Sequence, residues 1–369
     1  MKPAKLSPNR RVRGLITAMA AARPSRHKQG SSVCQDETFE RLGEPYRREI
    51  KLHCYRMLGS LHEAEDLVQE TYLRAWRSFG SFDPGGSFRA WLYKIATNAC
   101  LNALASRKRM QRWLPDHRAP PTTEMPDGKP AADVAWLEPY PDAELAGVAD
   151  EAPNPEARYA ADESVQLAFV ATIQYLPPRQ RAVLLLCDVL GWAATEAATL
   201  LGGSTASINS ALQRARDTLA KRYSARRSSV GSEPDSAQKE LLGRYLKAWE
   251  GLDLNNFVTL LKEDATYTMP PLPQWYSGRE AIRAFFESAF KLYADFRLRP
   301  IRANRQPAFA AYSRGRAGAP WTAHSIQVLT LDDGSISRLT LFVKPDSLRL
   351  FEAFGLPLTL EDGPGGHAP

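Results

Sequence analysis

The chain has 369 residues, with 48 Lys/Arg against 41 Asp/Glu and a formal charge of +7. That length gives room for two or three domains of about 100–200 residues each. No stretch approaches the ~18 apolar residues of a membrane-spanning helix, so a helical membrane anchor is excluded.

The charge is segregated along the chain. Residues 1–110 carry 20 Lys/Arg against 10 Asp/Glu, residues 111–157 carry 3 against 10, residues 158–230 carry 9 against 5, and residues 231–369 carry 16 of each. Two basic modules suit a polyanionic partner, and a neutral one does not need it. Cys34, Cys54, Cys100 and Cys187 form no C-x-x-C pair and no zinc spacing with His. Free thiols in a reducing cytoplasm are expected, with no metal and no cofactor.

Residues 1–33 hold eight Lys/Arg and no acid, and read as a disordered basic tail. Met19 offers an alternative start. Apolar residues from Phe39 to Leu58 keep helical spacing, and Gly59-Ser60 ends that helix. A second helix is predicted over 66–79, with Leu67, Tyr72, Leu73 and Trp76 on its apolar side. Gly and Pro make 80–86 a loop. A third helix is predicted over 88–109. The Pro- and Ala-rich stretch 111–157 reads as an acidic linker, in which Trp136, Tyr140 and their neighbours are aromatic enough to dock on something.

Residues 158–225 are helical again. An apolar helix from Leu176, a short helix, Gly202-Gly203 and a helix with a polar outer face give helix-turn-helix grammar. Ile208, Leu212, Ala215 and Leu219 should be core. Ser207, Asn209, Ser210, Gln213 and Arg214 form the opposite arc. Residues 226–236 are a hinge. Residues 237–356 read as helices followed by an antiparallel meander, an α+β domain, with a hairpin turn at Asp332-Asp333-Gly334-Ser335. Residues 357–369 are a tail.

Asp66-Leu67-Val68-Gln69-Glu70-Thr71-Tyr72-Leu73-Arg74-Ala75-Trp76 resembles region 2.2 of the extracytoplasmic-function sigma factors. Phe88-Arg89-Ala90-Trp91-Leu92-Tyr93-Lys94-Ile95-Ala96-Thr97-Asn98-Ala99-Cys100 resembles regions 2.3–2.4, and residues 176–216 resemble region 4. Residues 237–356 resemble, on looser cues, the SnoaL-like, NTF2-fold extension of a subset of that family. The fold class implied is multidomain: an all-α region 2 bundle (34–110), an all-α region 4 helix-turn-helix domain (158–225) and an α+β NTF2-like domain.

The resemblance implies a promoter-directing factor. Asp66, Gln69, Glu70, Leu73 and Trp76 would meet the β′ clamp helices of core RNA polymerase, and region 4 the β flap. Arg89, Lys94 and Arg107 would neutralise phosphates, while Asn98 and Asn102 would approach bases of the −10 element. Phe79, Phe82 and Phe88 would stack on bases there or anchor the loop. Ser207, Asn209, Ser210, Gln213 and Arg214 would enter the major groove at −35. Many family members carry Arg where this chain has Asn209 and Ala211, so its −35 preference should differ.

Trp249, Tyr267, Trp275 and His324 are expected to line a pocket in the third domain. His324 shares strand parity with Ile326 and Val328, which also fits a core histidine. No Asp/His pairing is visible, so a modulatory, ligand-sensing domain is expected rather than an enzyme. An anti-sigma factor and a small-molecule ligand are further partners that the resemblance allows. The rival readings are a helix-turn-helix regulator with a ligand domain, and an NTF2-fold isomerase fused to a DNA-binding module.

Overall fold

The computed structural model describes residues 29–106, 111–131, 133–148, 162–223, 234–316 and 318–361. The basic tail up to residue 28, Arg107, most of the hinge and residues 362–369 lie outside them.

The first domain holds α1 (Gln29–Gly43), α2 (Arg47–Leu58), α3 (Leu61–Ser78) and α4 (Phe88–Ser106). Pro45 splits the predicted first helix, and a 3-10 turn over Glu44–Tyr46 joins its halves. Gly59 ends α2 in the left-handed conformation, φ +70°. A Cβ on Gly59 would come within 2.7 Å of Leu137 Cδ1, so the linker's approach also demands glycine. Helix α3 starts five residues earlier than the apolar pattern suggested. Ser60 caps it by accepting from Glu63 N at 3.2 Å, a signal of sequence rather than of hydrophobicity.

The helix-turn-helix domain comprises α5 (Leu167–Ile173), α6 (Pro178–Leu184), α7 (Ala194–Leu201) and α8 (Thr205–Arg222). The third domain contains α9 (Ser236–Glu250), α10 (Leu254–Thr259), β1 (Leu261–Thr268), β2 (Trp275–Ser277), α11 (Arg279–Ala289), β3 (Asp295–Ala303), β4 (Gln306–Arg314), β5 (Trp321–Asp332), β6 (Ser335–Val343), α12 (Asp346–Ala353) and β7 (Thr359–Leu360). The sheet order is β2-β1-β6-β5-β4-β3, with β7 on β5. It is not a pure antiparallel meander, because β1 pairs with β6 in parallel. Helix α12 was not foreseen; it covers the convex face through Leu350 and Phe351.

Two cores result. The concave face of the sheet closes with α9, α10 and α11 over an aromatic core around Trp249, Phe257 and Phe286. The other core is continuous from Ile50 in the first domain through Leu137 and Tyr140 of the linker and Leu184 of the helix-turn-helix domain to Ile326 on the convex face. The linker is therefore irregular in backbone but part of the interior: Leu114, Leu137, Tyr140 and Leu145 are buried.

Polar side chains finish this joint. Glu138 of the linker accepts from Ser60 Oγ (2.9 Å), Leu61 N (2.7 Å) and His62 Nδ1 (3.0 Å), capping α3 from outside the helix. Burial pushes the Glu138 carboxyl up, but the His62 hydrogen bond and the Arg112 charge outweigh it, and the net displacement is downward. His62 is held above its ordinary value by its bond to Glu138.

These directions set the pH response. The His62 contribution is full below about pH 6.5 and lost as pH rises through the raised folded value; the Glu138 contribution is present above about pH 4.5 and lost in acid. Between wild type and His62→Ala, the difference in urea midpoint should be larger at about pH 6 than at about pH 8. Glu138→Ala should cost about 1–3 kcal/mol by urea unfolding, because it orphans buried donors. An unchanged midpoint would contradict the capping role.

Candidate polymerase and nucleic-acid interface

On α3, positions 66, 69, 70, 73 and 76 fall on one helical face. Asp66 and Gln69 are exposed, and Glu70 is partly screened by an ion pair to Arg74 at 2.5 Å. Leu73 and Trp76 were expected on the buried side. Instead Leu67, Val68, Thr71, Tyr72 and Ala75 fill the interior. Leu73 is half-buried, and Trp76 is 38% exposed, with its Nε1 donating to Asp36 at 2.7 Å. The stripe thus offers two carboxylates, an amide and two accessible apolar side chains, which suits a partner with basic and apolar groups.

In the loop after α3, Phe79 and Phe82 are stacked at 6.2 Å, and Phe82 meets Phe88 at 5.3 Å and Trp91 at 5.1 Å. Phe88 is buried. These rings anchor the loop, and Asp83 closes its tip by accepting from Gly85 N at 3.0 Å.

Helix α4 presents Lys94, Asn98 and Asn102, one turn apart and all exposed. Arg89 does not join them. It pairs with Glu49, which also accepts from Tyr93 Oη at 2.8 Å, and it lies 5.4 Å over the Tyr93 ring. It ties α4 to α2 instead of standing ready for a phosphate. Arg107 lies outside the described residues.

In the helix-turn-helix, Ser204 caps α8 by accepting from Ser207 N at 3.2 Å, and Gly202 takes φ +64° in the turn. Arg179 pins that turn, donating to Leu201 O at 3.2 Å and Gly202 O at 2.6 Å. Glu196 accepts from Ala193 N at 2.8 Å and so caps α7. Ile208, Ala211, Leu212 and Ala215 are buried, while Leu219 is only partly so. Ser207, Asn209, Ser210, Gln213 and Arg214 are all exposed on the outer arc. Ser207 Oγ donates to Ser204 O (2.7 Å) and Gln213 to Asp217 (2.9 Å), so both must give up a local bond to reach a base.

Sequence reading overlooked the groups that hold the two helical domains together. Arg181, only 3% exposed, donates to Met57 O at the C-terminal end of α2, to Gln174 Oε1 (2.6 Å) and to Ile173 O (2.9 Å). Arg56 donates to Ser164 Oγ at 2.6 Å. Burial pulls Arg181 down to about 9 and Arg56 down to about 10, so both stay charged at neutral pH. Tyr93 of α4 meets Trp192, just before α7, edge to face at 5.3 Å. An arginine placed among apolar residues at helical spacing was the available signal for Arg181.

In the third domain a cavity of about 320 Å³ opens between the concave face and α11. Trp249, Tyr267 and His324 line it. Trp275 does not: its Nε1 donates to Ala119 O of the linker at 2.7 Å. Strand parity misplaces His324. Ser325 pairs with Ala311 and Ala323 with Tyr312, which leaves His324 as the extra residue of a bulge and turns it toward Phe296 and Tyr293. Its Nε2 bonds Tyr293 Oη (3.1 Å) and its Nδ1 bonds Ser325 Oγ (3.0 Å). Burial, with a smaller push from Lys344, lowers it to about 4, so the ring is neutral.

The sigma-70 region 2 family matches residues 42–110, the sigma-70 region 4 family residues 166–219, and the SnoaL-like domain family residues 242–339. The ECF RNA polymerase sigma factor SigG of Mycobacterium tuberculosis is 44% identical over 329 residues, covering 87% of this chain and 85% of that relative. The ECF RNA polymerase sigma factor SigJ of the same species is 28% identical over 316 residues, 82% of this chain and 91% of the relative. The crystal structure of the M. tuberculosis extracytoplasmic function sigma factor SigJ shares the fold, with a TM-score of 0.56 at 24% identity over 87% of this chain and 99% of that one. With both helical regions, their order and the third domain accounted for, the chain belongs to the extracytoplasmic-function RNA polymerase sigma factors.

Proposed function

We propose that the described conformation is the promoter-silent form of this sigma factor, held shut by its C-terminal domain. As a member of its family the chain binds core RNA polymerase and directs promoter-specific initiation. In our reading the α3 stripe of Asp66, Gln69, Glu70, Leu73 and Trp76 meets the β′ clamp helices. Lys94, Asn98 and Asn102 serve the −10 element, and Asn209, Ser210, Gln213 and Arg214 serve the −35 element.

One observation carries the proposal. The −10 and −35 elements are about 25 base pairs apart, roughly 85 Å of duplex at 3.4 Å per base pair. Here α4 and the helix-turn-helix are in side-chain contact through Tyr93 and Trp192. Helix α8 has 18 residues and is about 27 Å long, too short to bridge the difference. Both readers can engage one promoter only after the two helical domains separate.

The tight turn between β3 and β4 holds them together. Asn304 and Arg305 both have positive φ, as a two-residue hairpin turn requires. Asn304 is fully buried; its Nδ2 donates to Tyr55 Oη (2.8 Å) and Val165 O (2.7 Å), and its Oδ1 accepts from Tyr140 N (2.8 Å). One amide thus touches the first domain, the linker and the approach to the helix-turn-helix. Gln306 accepts from Leu167 N at 3.1 Å beside it.

The third domain is read as regulatory rather than catalytic. Its cavity offers a neutral histidine and no carboxylate among its described lining residues to act as an acid–base partner.

Asn304→Gly keeps the left-handed turn and deletes the amide. A loss of about 1–2 kcal/mol in closure should raise run-off transcription with core polymerase about tenfold. Unchanged output from a folded variant would overturn the latch. Lys94→Ala should reduce the slope of promoter affinity against salt by about one, and Asn209→Ala should relax preference at one −35 position by about 1–3 kcal/mol. Promoter-binding titrations on matched and mutated duplexes check both.

A further inference from the structure

The acidic linker does more than join the helical domains. Thr122 N donates to Trp275 O (2.9 Å), Tyr276 Oη donates to Glu124 O (2.7 Å), and Trp275 Nε1 reaches Ala119 O. These bonds strap residues 119–131 across β2, at the mouth of the cavity. Met125, Pro126 and Gly128 of the strap are part of the cavity wall. Met125 is 45% exposed and Leu292, also in the cavity wall, 66%; both are among the few large apolar side chains exposed in the described residues. An apolar rim of this kind marks an entry for apolar matter.

The interior is largely apolar, built from rings together with aliphatic side chains such as Met269, Leu272, Leu341 and Val343. Phe285, Phe286, Phe290 and Phe296 line it with Trp249 and Tyr267, and the polar groups come from the Tyr293–His324 pair, Lys344, the Tyr267 hydroxyl and Trp249 Nε1, which is buried with no partner among the described residues. A cavity of about 320 Å³ is at the small end of ligand clefts. The chemistry fits a mainly apolar, ring-bearing compound that carries a hydrogen-bond acceptor for these donors. A carboxylate or phosphate placed among the rings, out of reach of Lys344, would be left unsolvated.

We propose that the linker strap completes this binding site, so that a ring-bearing ligand fixes the strap in place and holds the sigma factor shut. The inference rests on the latch reading above. The cavity exists with the strap docked, and its wall loses three residues when the strap leaves. A ligand that gains contacts only in the strapped state must shift the population toward it. Seven residues separate Gly128 from Trp136, where the same chain enters the buried joint that ends at Glu138 and Tyr140. Occupancy at the cavity and closure at the joint are thereby read by one continuous segment.

The probe for the test is prodan, a neutral naphthalene ketone whose emission shifts to the blue in apolar surroundings. Full-length protein is titrated with prodan, and amide hydrogen exchange of residues 119–131 is followed by mass spectrometry. The expected result is a saturable blue shift with about tenfold slower exchange in that segment. Ala289→Trp, which fills the cavity, should abolish binding, and Met125→Gly, which thins the strap, should weaken it. No saturable shift up to the aqueous solubility limit of prodan would overturn the proposal. So would binding that leaves exchange of 119–131 unchanged or faster, or binding retained by both variants. Asn304→Gly separates the two ideas. Slowed exchange in wild type with no loss of run-off transcription, and equal prodan affinity in wild type and Asn304→Gly, would leave the strapped site standing but overturn both its hold on the sigma factor and the latch.

Discussion

The closed form turns on one buried junction, where Asn304 from a hairpin turn bonds the first helical domain, the linker and the start of the helix-turn-helix region at once. Around it the apolar interior runs unbroken across what the chain order presents as separate modules. Hydrophobic burial supplies most of the attraction at such a contact. The polar centre supplies the register. A buried amide with three partners tolerates few other arrangements, since each displaced partner leaves an unsatisfied group in a dry setting.

That mixture suits a joint that must open. Hydrogen bonds contribute little net energy because water replaces them on separation, about 1 kcal/mol apiece. The buried arginines behave differently. Arg181 and Arg56 are costly to strand but are readily rehydrated once the domains part. The polar groups therefore fix which arrangement closes, while the apolar burial sets how firmly, and core polymerase must prefer the open form by enough to offset the apolar surface exposed. The tether keeps the C-terminal domain at high effective concentration, so a shallow contact suffices for resealing.

Much of this was legible in the sequence and some was not, for physical reasons. Helical spacing with the Gly202-Gly203 turn located the helix-turn-helix, and its outward residues are exposed as their period implies. The α4 stripe of Lys94, Asn98 and Asn102 followed from the same logic. Periodicity failed where a side chain's fate is set by a distant segment. Arg89 looks like a phosphate ligand until Glu49, 40 positions away, is seen to hold it. His324 follows strand parity only if the strand is regular, and a bulge is not encoded by alternation. Trp275 has the size of a pocket residue, but its indole holds the linker. The linker shows the gap most clearly. Its composition describes an acidic, Pro-rich linker, yet Leu137 and Tyr140 are fully buried because three other segments meet there. Only the unusual aromatic content of residues 136–142 hinted at docking.

A direct test of closure is the distance between spin labels at Ala105, near the end of α4, and Ala206, in the first turn of α8, measured by pulsed dipolar spectroscopy. Helical rise from the Tyr93–Trp192 contact places the two sites within about 45 Å in the free chain. A single population in that range is expected, moving to roughly 85 Å in the promoter-bound holoenzyme. A free chain already distributed at the longer distance would contradict it.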